Sequence, residues 1–146
     1  MPALLPDTRR VRVREGRNGH ELVVDGEVIG SAEPGHVSVG DLELDVVETG
    51  TRRALVDTRA TRLRLDPHGG KATTLTLANR QYRLARQRWL PLRRSWVLRE
   101  DVAGEVVLTV TTTPGGTRVA FEDDVELSDH DRSLLVAGAL VVALGL

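Results

Sequence analysis

The chain of 146 residues predicts a mostly β fold: a closed antiparallel barrel of about ten to twelve strands around a buried C-terminal α-helix. Two observations lead there. Short runs of alternating apolar and polar residues, separated by turn signals, fill the chain as far as Leu127. The last thirteen residues, Leu134 to Leu146, are then wholly apolar. An open sheet covers one side of such a helix, whereas a closed barrel covers every side and removes exposed strand edges.

The strands are read in order. Val11 and Val13 alternate with Arg10, Arg12 and Arg14. Leu22-Val-Val24 and Val28-Ile29 flank Asp25-Gly26, the strongest short hairpin signal. Leu42, Leu44 and Val46 alternate with Glu43 and Asp45 after a turn at Gly40-Asp41. Leu63 and Leu65 follow the same pattern, and Pro67-His-Gly-Gly70 reverses the chain into Leu75 and Leu77. Past Asn79 come strands through Tyr82 and Leu84, through Trp96 and Leu98, and through Val106, Leu108 and Val110. Pro114-Gly-Gly116 turns the chain into Val119, Phe121, Val125 and Leu127.

The helix is expected over about 129–145. Ser128 is a good N-cap, and Asp129 and Asp131 place negative charge at the positive end of the helix dipole. Ser128-Asp-His-Asp131 resembles a capping box with Asp in place of the usual Glu. Spanning a bilayer takes about 20 apolar residues. This run is too short, and a helix apolar on every face is one buried on every face. Ala137, Gly138, Ala139, Ala143 and Gly145 are small and let neighbours approach its backbone.

Residues 1–146 read as one domain, with no internal repeat or linker. The absence of cysteine excludes disulfides, thiolate catalysis and cysteine-based metal sites. Met1 to Asp7 lacks the basic and apolar regions of a secretory signal, so the expected location is cytoplasmic, either free or peripheral at a membrane.

Charge is segregated along the chain. Residues 52–99 hold twelve Arg and Lys71 against Asp57 and Asp66, a net of +11. Residues 15–48 carry nine acids against Arg17, and residues 100–131 carry nine against Arg118, so each flank is −8. The densest basic cluster is Arg80, Arg83, Arg86, Arg88, Arg93, Arg94 and Arg99, interleaved with Tyr82, Trp89 and Trp96.

No catalytic set is legible. His20, His36, His68 and His130 are far apart and form no metal-binding pair, so they read as surface or turn histidines. His36-Val-Ser-Val-Gly40 has only half of a nucleophile elbow and lies in a strand pattern. Glu122-Asp-Asp-Val-Glu126 lacks the spacing of a calcium loop and reads as rim carboxylates pairing with arginines. Gly69-Gly70-Lys71 lacks the remaining parts of a phosphate loop. The protein is expected to be no enzyme and to need no metal or cofactor.

Four stretches carry a family likeness: Trp96-Val-Leu-Arg99, Gly104-Glu-Val-Val-Leu108, the hairpin around Pro114-Gly-Gly116, and Asp129-His-Asp-Arg-Ser-Leu-Leu135 leading into the helix. In these motifs and in its order of elements the chain resembles the tubby C-terminal, LURP-one-related and phospholipid scramblase superfamily. That family's fold is a twelve-stranded barrel threaded by its own C-terminal helix. Its members include phosphoinositide-binding modules and lipid scramblases. The chain lacks the cysteine-rich segment, EF-hand-like loop and transmembrane helix of the scramblases, so the resemblance implies the fold of a tubby/LURP-one-like domain and not scramblase activity.

Two readings of the arginines stand. Guanidinium groups bind phosphates through paired, charge-assisted hydrogen bonds, and Trp beside basic residues suits headgroup level. On that reading Arg80, Arg83, Arg86, Arg88, Trp89, Arg93 and Arg94 dock the protein on anionic phospholipid headgroups, with Trp89-Leu90-Pro91-Leu92 as an apolar tip. On the other, basic strands pair with acidic ones in intramolecular ion pairs, and the domain serves a protein partner as a scaffold. A sequence pI near 6.4 argues against nucleic acid as a partner.

Overall fold

Residues 8–17, 19–58, 60–100, 104–123 and 125–146 are described by the computed structural model, with residues 88–90 described in their backbone alone. Within them the order is β1 (Arg10–Gly16), β2 (Gly19–Val24), β3 (Glu27–Glu33), β4 (His36–Val39), β5 (Leu42–Thr49) and β6 (Arg52–Asp57). Then follow β7 (Ala60–His68), β8 (Ala72–Leu77), β9 (Arg80–Leu90), β10 (Arg93–Glu100), β11 (Val106–Thr113), β12 (Gly116–Phe121) and α1 (Asp129–Leu144). Each strand pairs antiparallel with its neighbours in sequence, and β1 closes the ring on β12. The fold is a closed twelve-stranded barrel around one C-terminal helix.

Alternation decides which side chains enter. Val11 and Val13, Leu42 and Leu44, Leu63 and Leu65, Tyr82 and Leu84, and Leu108 and Val110 all point inward and are buried against α1. From Arg132 to Val141 the helix is buried without a break, so apolar strands surround it as its all-round apolar sequence requires. A Cβ on Gly138 would lie 2.4 Å from Cδ2 of Leu63 and 3.1 Å from Cδ2 of Leu75. At that point the helix lies so close to the wall that even a methyl group would require Leu63 and Leu75 to shift.

Both helix ends are capped. Ser128 Oγ accepts from the Asp131 N–H at 3.1 Å, which is half of the expected box. Gly145 adopts the left-handed conformation, and the Leu146 N–H donates to the Val141 carbonyl at 3.0 Å. The helix starts at the rim carrying the turns Asp25-Gly26, Gly40-Asp41 and Ala78-Asn79. It ends at the rim carrying Gly50-Thr51, Gly69–Lys71, Pro91-Leu92 and Pro114-Gly115, where Arg53 Nη1 donates to the Leu146 carbonyl at 2.8 Å.

Two expectations are corrected, and one strand is added to the sequence reading. Strand β6 is present although Arg52-Arg53-Ala54-Leu55 carries too little alternation to reveal it. Pro67 and His68 continue β7, paired with Thr73 and Ala72, so the turn falls one step later, at Gly69–Lys71. Val125 and Leu127 belong to no strand: β12 ends at Phe121, and the chain there leaves the wall to reach the start of the helix. Both side chains still pack against the core.

Candidate functional site

The basic cluster lies on the hairpin of β9 and β10, joined by Pro91-Leu92. In its regular part the outward Arg83 stands directly opposite Arg99 on β10 and beside Thr74 on β8. A register shift between Ser95 and Trp96 lets β9 carry one residue more than β10, so Arg88 pairs with Ser95 and Arg86 with Trp96. Like charges directly opposite one another on a ladder repel. Arg83 and Arg93 form no ion pair among the described residues.

The seven predicted residues do not converge on one spot. At roughly 3.3 Å per residue, the eleven-residue β9 spans the full height of the wall. Arg80 sits at the rim where the helix begins, beside the Tyr82 hydroxyl and in the field of Glu100 and Asp131, which together hold its protonated form still more firmly. Arg83 lies on the outer wall, whereas Arg86, paired with inward-facing Trp96, has the opposite parity and is half-buried near Gly70. Arg93 and Arg94 stand exposed at the opposite rim, immediately after Leu92, which is 72% exposed. The side chains of Arg88 and Trp89 lie outside the described residues.

The interleaved aromatics behave differently from the sequence reading. Tyr82 is 1% exposed and Trp96 6% exposed, so both belong to the core and neither meets a headgroup. Their positions follow from strand parity: Tyr82 faces inward with Leu84, and Trp96 faces inward opposite Val110.

A meander barrel turns charge segregation along the chain into segregation around the wall. Residues 52–99 occupy the neighbouring strands β6 to β10, and the acidic β3 to β5 form a separate sector. The two meet at β5 and β6, where Glu48 faces Arg53. Ion pairs seen within the described residues join neighbouring strands or their ends: Arg14–Glu21, Arg52–Asp66, Arg62–Asp57, and Arg9 with Asp123. Asp123 thus plays the part expected of its acidic run, pairing with an arginine at the rim.

One polar cluster escaped the sequence reading. His36 Nδ1 lies 2.9 Å from Asp45 Oδ1, its Nε2 lies 2.5 Å from Glu43 Oε2, and Ser38 Oγ donates to Glu43 Oε1 at 3.2 Å. The hydrogen bond to Asp45 is the main cause of a raised imidazole pKa, opposed by partial burial and reinforced by Glu43. A signal was available: a two-residue turn at Gly40-Asp41 forces His36 opposite Asp45. Among the described residues, no group of three or more His, Asp or Glu side chains is arranged to hold a metal ion.

Comparison with protein-family models, curated proteins and solved structures yields no match to this chain. No helix among the described residues is long and apolar enough to cross a membrane.

Proposed function

We propose that the protein is a non-catalytic, tubby-like docking module for anionic phospholipid surfaces. The observation that carries this reading is the exposed Pro91-Leu92 turn, which places an apolar tip directly before Arg93 and Arg94 at one rim of the barrel. The tip enters the headgroup region while the guanidinium groups pair with lipid phosphates. Arg83 and Arg99, side by side on the outer face of β9 and β10, extend the basic wall behind it. Arg80, at the far rim among acidic neighbours, takes no part in this contact.

The test is cosedimentation with neutral phosphatidylcholine vesicles and with vesicles containing phosphatidylserine. Binding to the anionic vesicles alone is expected. Each arginine near an anionic surface is worth about 1 kcal/mol, or roughly a fivefold change in partitioning. Arg93→Glu with Arg94→Glu therefore lowers binding by at least about 25-fold. Equal binding to neutral vesicles, or none to either, removes the reading.

A further inference from the structure

A second basic feature lies on a different part of the outer wall, where β1, β12 and β11 run side by side. Its floor is made of small outward residues: Thr109, Thr111 and Thr113 on β11, with Ala120 and Gly116 on β12. Arg10 and Arg12 rise on one side, Arg93 stands on the other, and Arg118 projects from the middle. Together they border an open trough of about 660 Å³, within the size range of small-molecule sites. The threonine line alone is about 13 Å long, from the rise per residue of a strand.

The electrostatics of this trough are unbalanced. Barrel closure sets Arg12 directly opposite Arg118, and Thr111 stands beside them in the same row. Among the described residues, no acidic side chain lines the trough. Arg10, Arg12, Arg93 and Arg118 make no ion pair among the described residues. Facing like charges at this separation repel, and the neighbouring hydroxyls can donate hydrogen bonds. A bound anion would relieve the repulsion and accept from both kinds of donor.

From this geometry we infer that the β1–β12–β11 trough binds a soluble linear phosphoanhydride, that is, a chain of two or three phosphoryl groups. One phosphate could bridge Arg12 and Arg118 through paired N–H donors, but a single phosphate would leave Arg10 and Arg93 unused. An elongated anion engages arginines at successive levels of the trough, with the threonine hydroxyls beneath it. This site lies on a different face from the membrane contact, and Arg93 belongs to both.

The experiment is calorimetric titration of the full chain with tripolyphosphate, orthophosphate and sulfate at fixed ionic strength. Tripolyphosphate should bind, orthophosphate should bind at least about tenfold more weakly, and sulfate should be indistinguishable from added salt. The variant Arg12→Gln with Arg118→Gln should lose about tenfold or more in affinity while keeping its thermal midpoint, because it removes a repulsive pair. Amide shifts of Thr111 and Ala120 on adding tripolyphosphate give a second readout in the unaltered protein. Three results would each overturn the inference: tripolyphosphate binding no better than sulfate, undiminished affinity in the double variant, or a double variant that loses only vesicle binding. A protein that binds tripolyphosphate normally after Leu92→Ser and Arg94→Glu, yet no longer sediments with anionic vesicles, separates the two surfaces.

Discussion

His36 and Arg132 show how much individual polar side chains contribute in a fold dominated by leucine and valine. His36 has a carboxylate on each ring nitrogen, so its protonated form is favoured in the folded state. Its folded pKa therefore stands above the ordinary 6.5. The stabilisation is fully present below that value and is lost as pH rises through the folded pKa. Thermal midpoints of the wild type and His36→Gln should accordingly differ most below pH 6.5 and converge at alkaline pH, as scanning calorimetry across pH would record. Arg132 is only 5% exposed, with Nη1 donating to the Thr8 carbonyl at 2.6 Å and Nη2 to the Val125 carbonyl at 3.3 Å. Its guanidinium also lies 4.6 Å from the centre of the Phe121 ring. It ties the segment before β1 and the segment before the helix to the same end of the barrel. Arg132→Ala should cost about 2–3 kcal/mol in urea denaturation, since two carbonyls and a cation–π contact lose their partner.

The helix is the element on which the others depend. Its N-cap contributes about 1 kcal/mol, so Ser128→Ala should lower stability by that amount. Gly138 sets a stricter limit. Alanine there gains about 1 kcal/mol of helix propensity but drives a methyl into Leu63 and Leu75. Overpacking a well-filled core costs about 1–3 kcal/mol, so Gly138→Ala should be neutral to mildly destabilising and Gly138→Leu severely so. Denaturation midpoints of the two variants measure this. A rank order with leucine better tolerated than alanine would contradict a helix held against the wall. The helix boundaries were legible because capping and apolar runs are local signals. Strand β6 was not legible, because its basic residues conceal the alternation around Leu55.

For the whole molecule, the central question is how segregated charge is distributed over the barrel. A meander keeps neighbours in sequence as neighbours in space, so basic β6 to β10 form one sector and acidic β3 to β5 another. Vesicle binding should therefore weaken steeply with salt as exposed charges are screened beyond about 10 Å at 0.1 M. Cosedimentation between 50 and 300 mM salt, roughly the range over which screening sets in, would reveal that slope. Removing residues 129–146 would leave the inward apolar side chains of twelve strands facing an empty lumen. That shortened chain should lose its cooperative thermal transition.

Hairpin turns, strand alternation, helix caps and the burial of an all-apolar helix were dictated locally. Each depends on residues within a few positions of one another. Asp25-Gly26 turns the chain wherever the rest of it goes, and the register of His36 against Asp45 follows from the turn between them. Closure of the ring has no such local code. It brings Arg12 opposite Arg118, and Val11 opposite Val119, from the two ends of the barrel's sequence. Those placements arise because a twelve-stranded sheet must meet itself to cover its helix, and the choice of facing side chains is made only when β1 and β12 join.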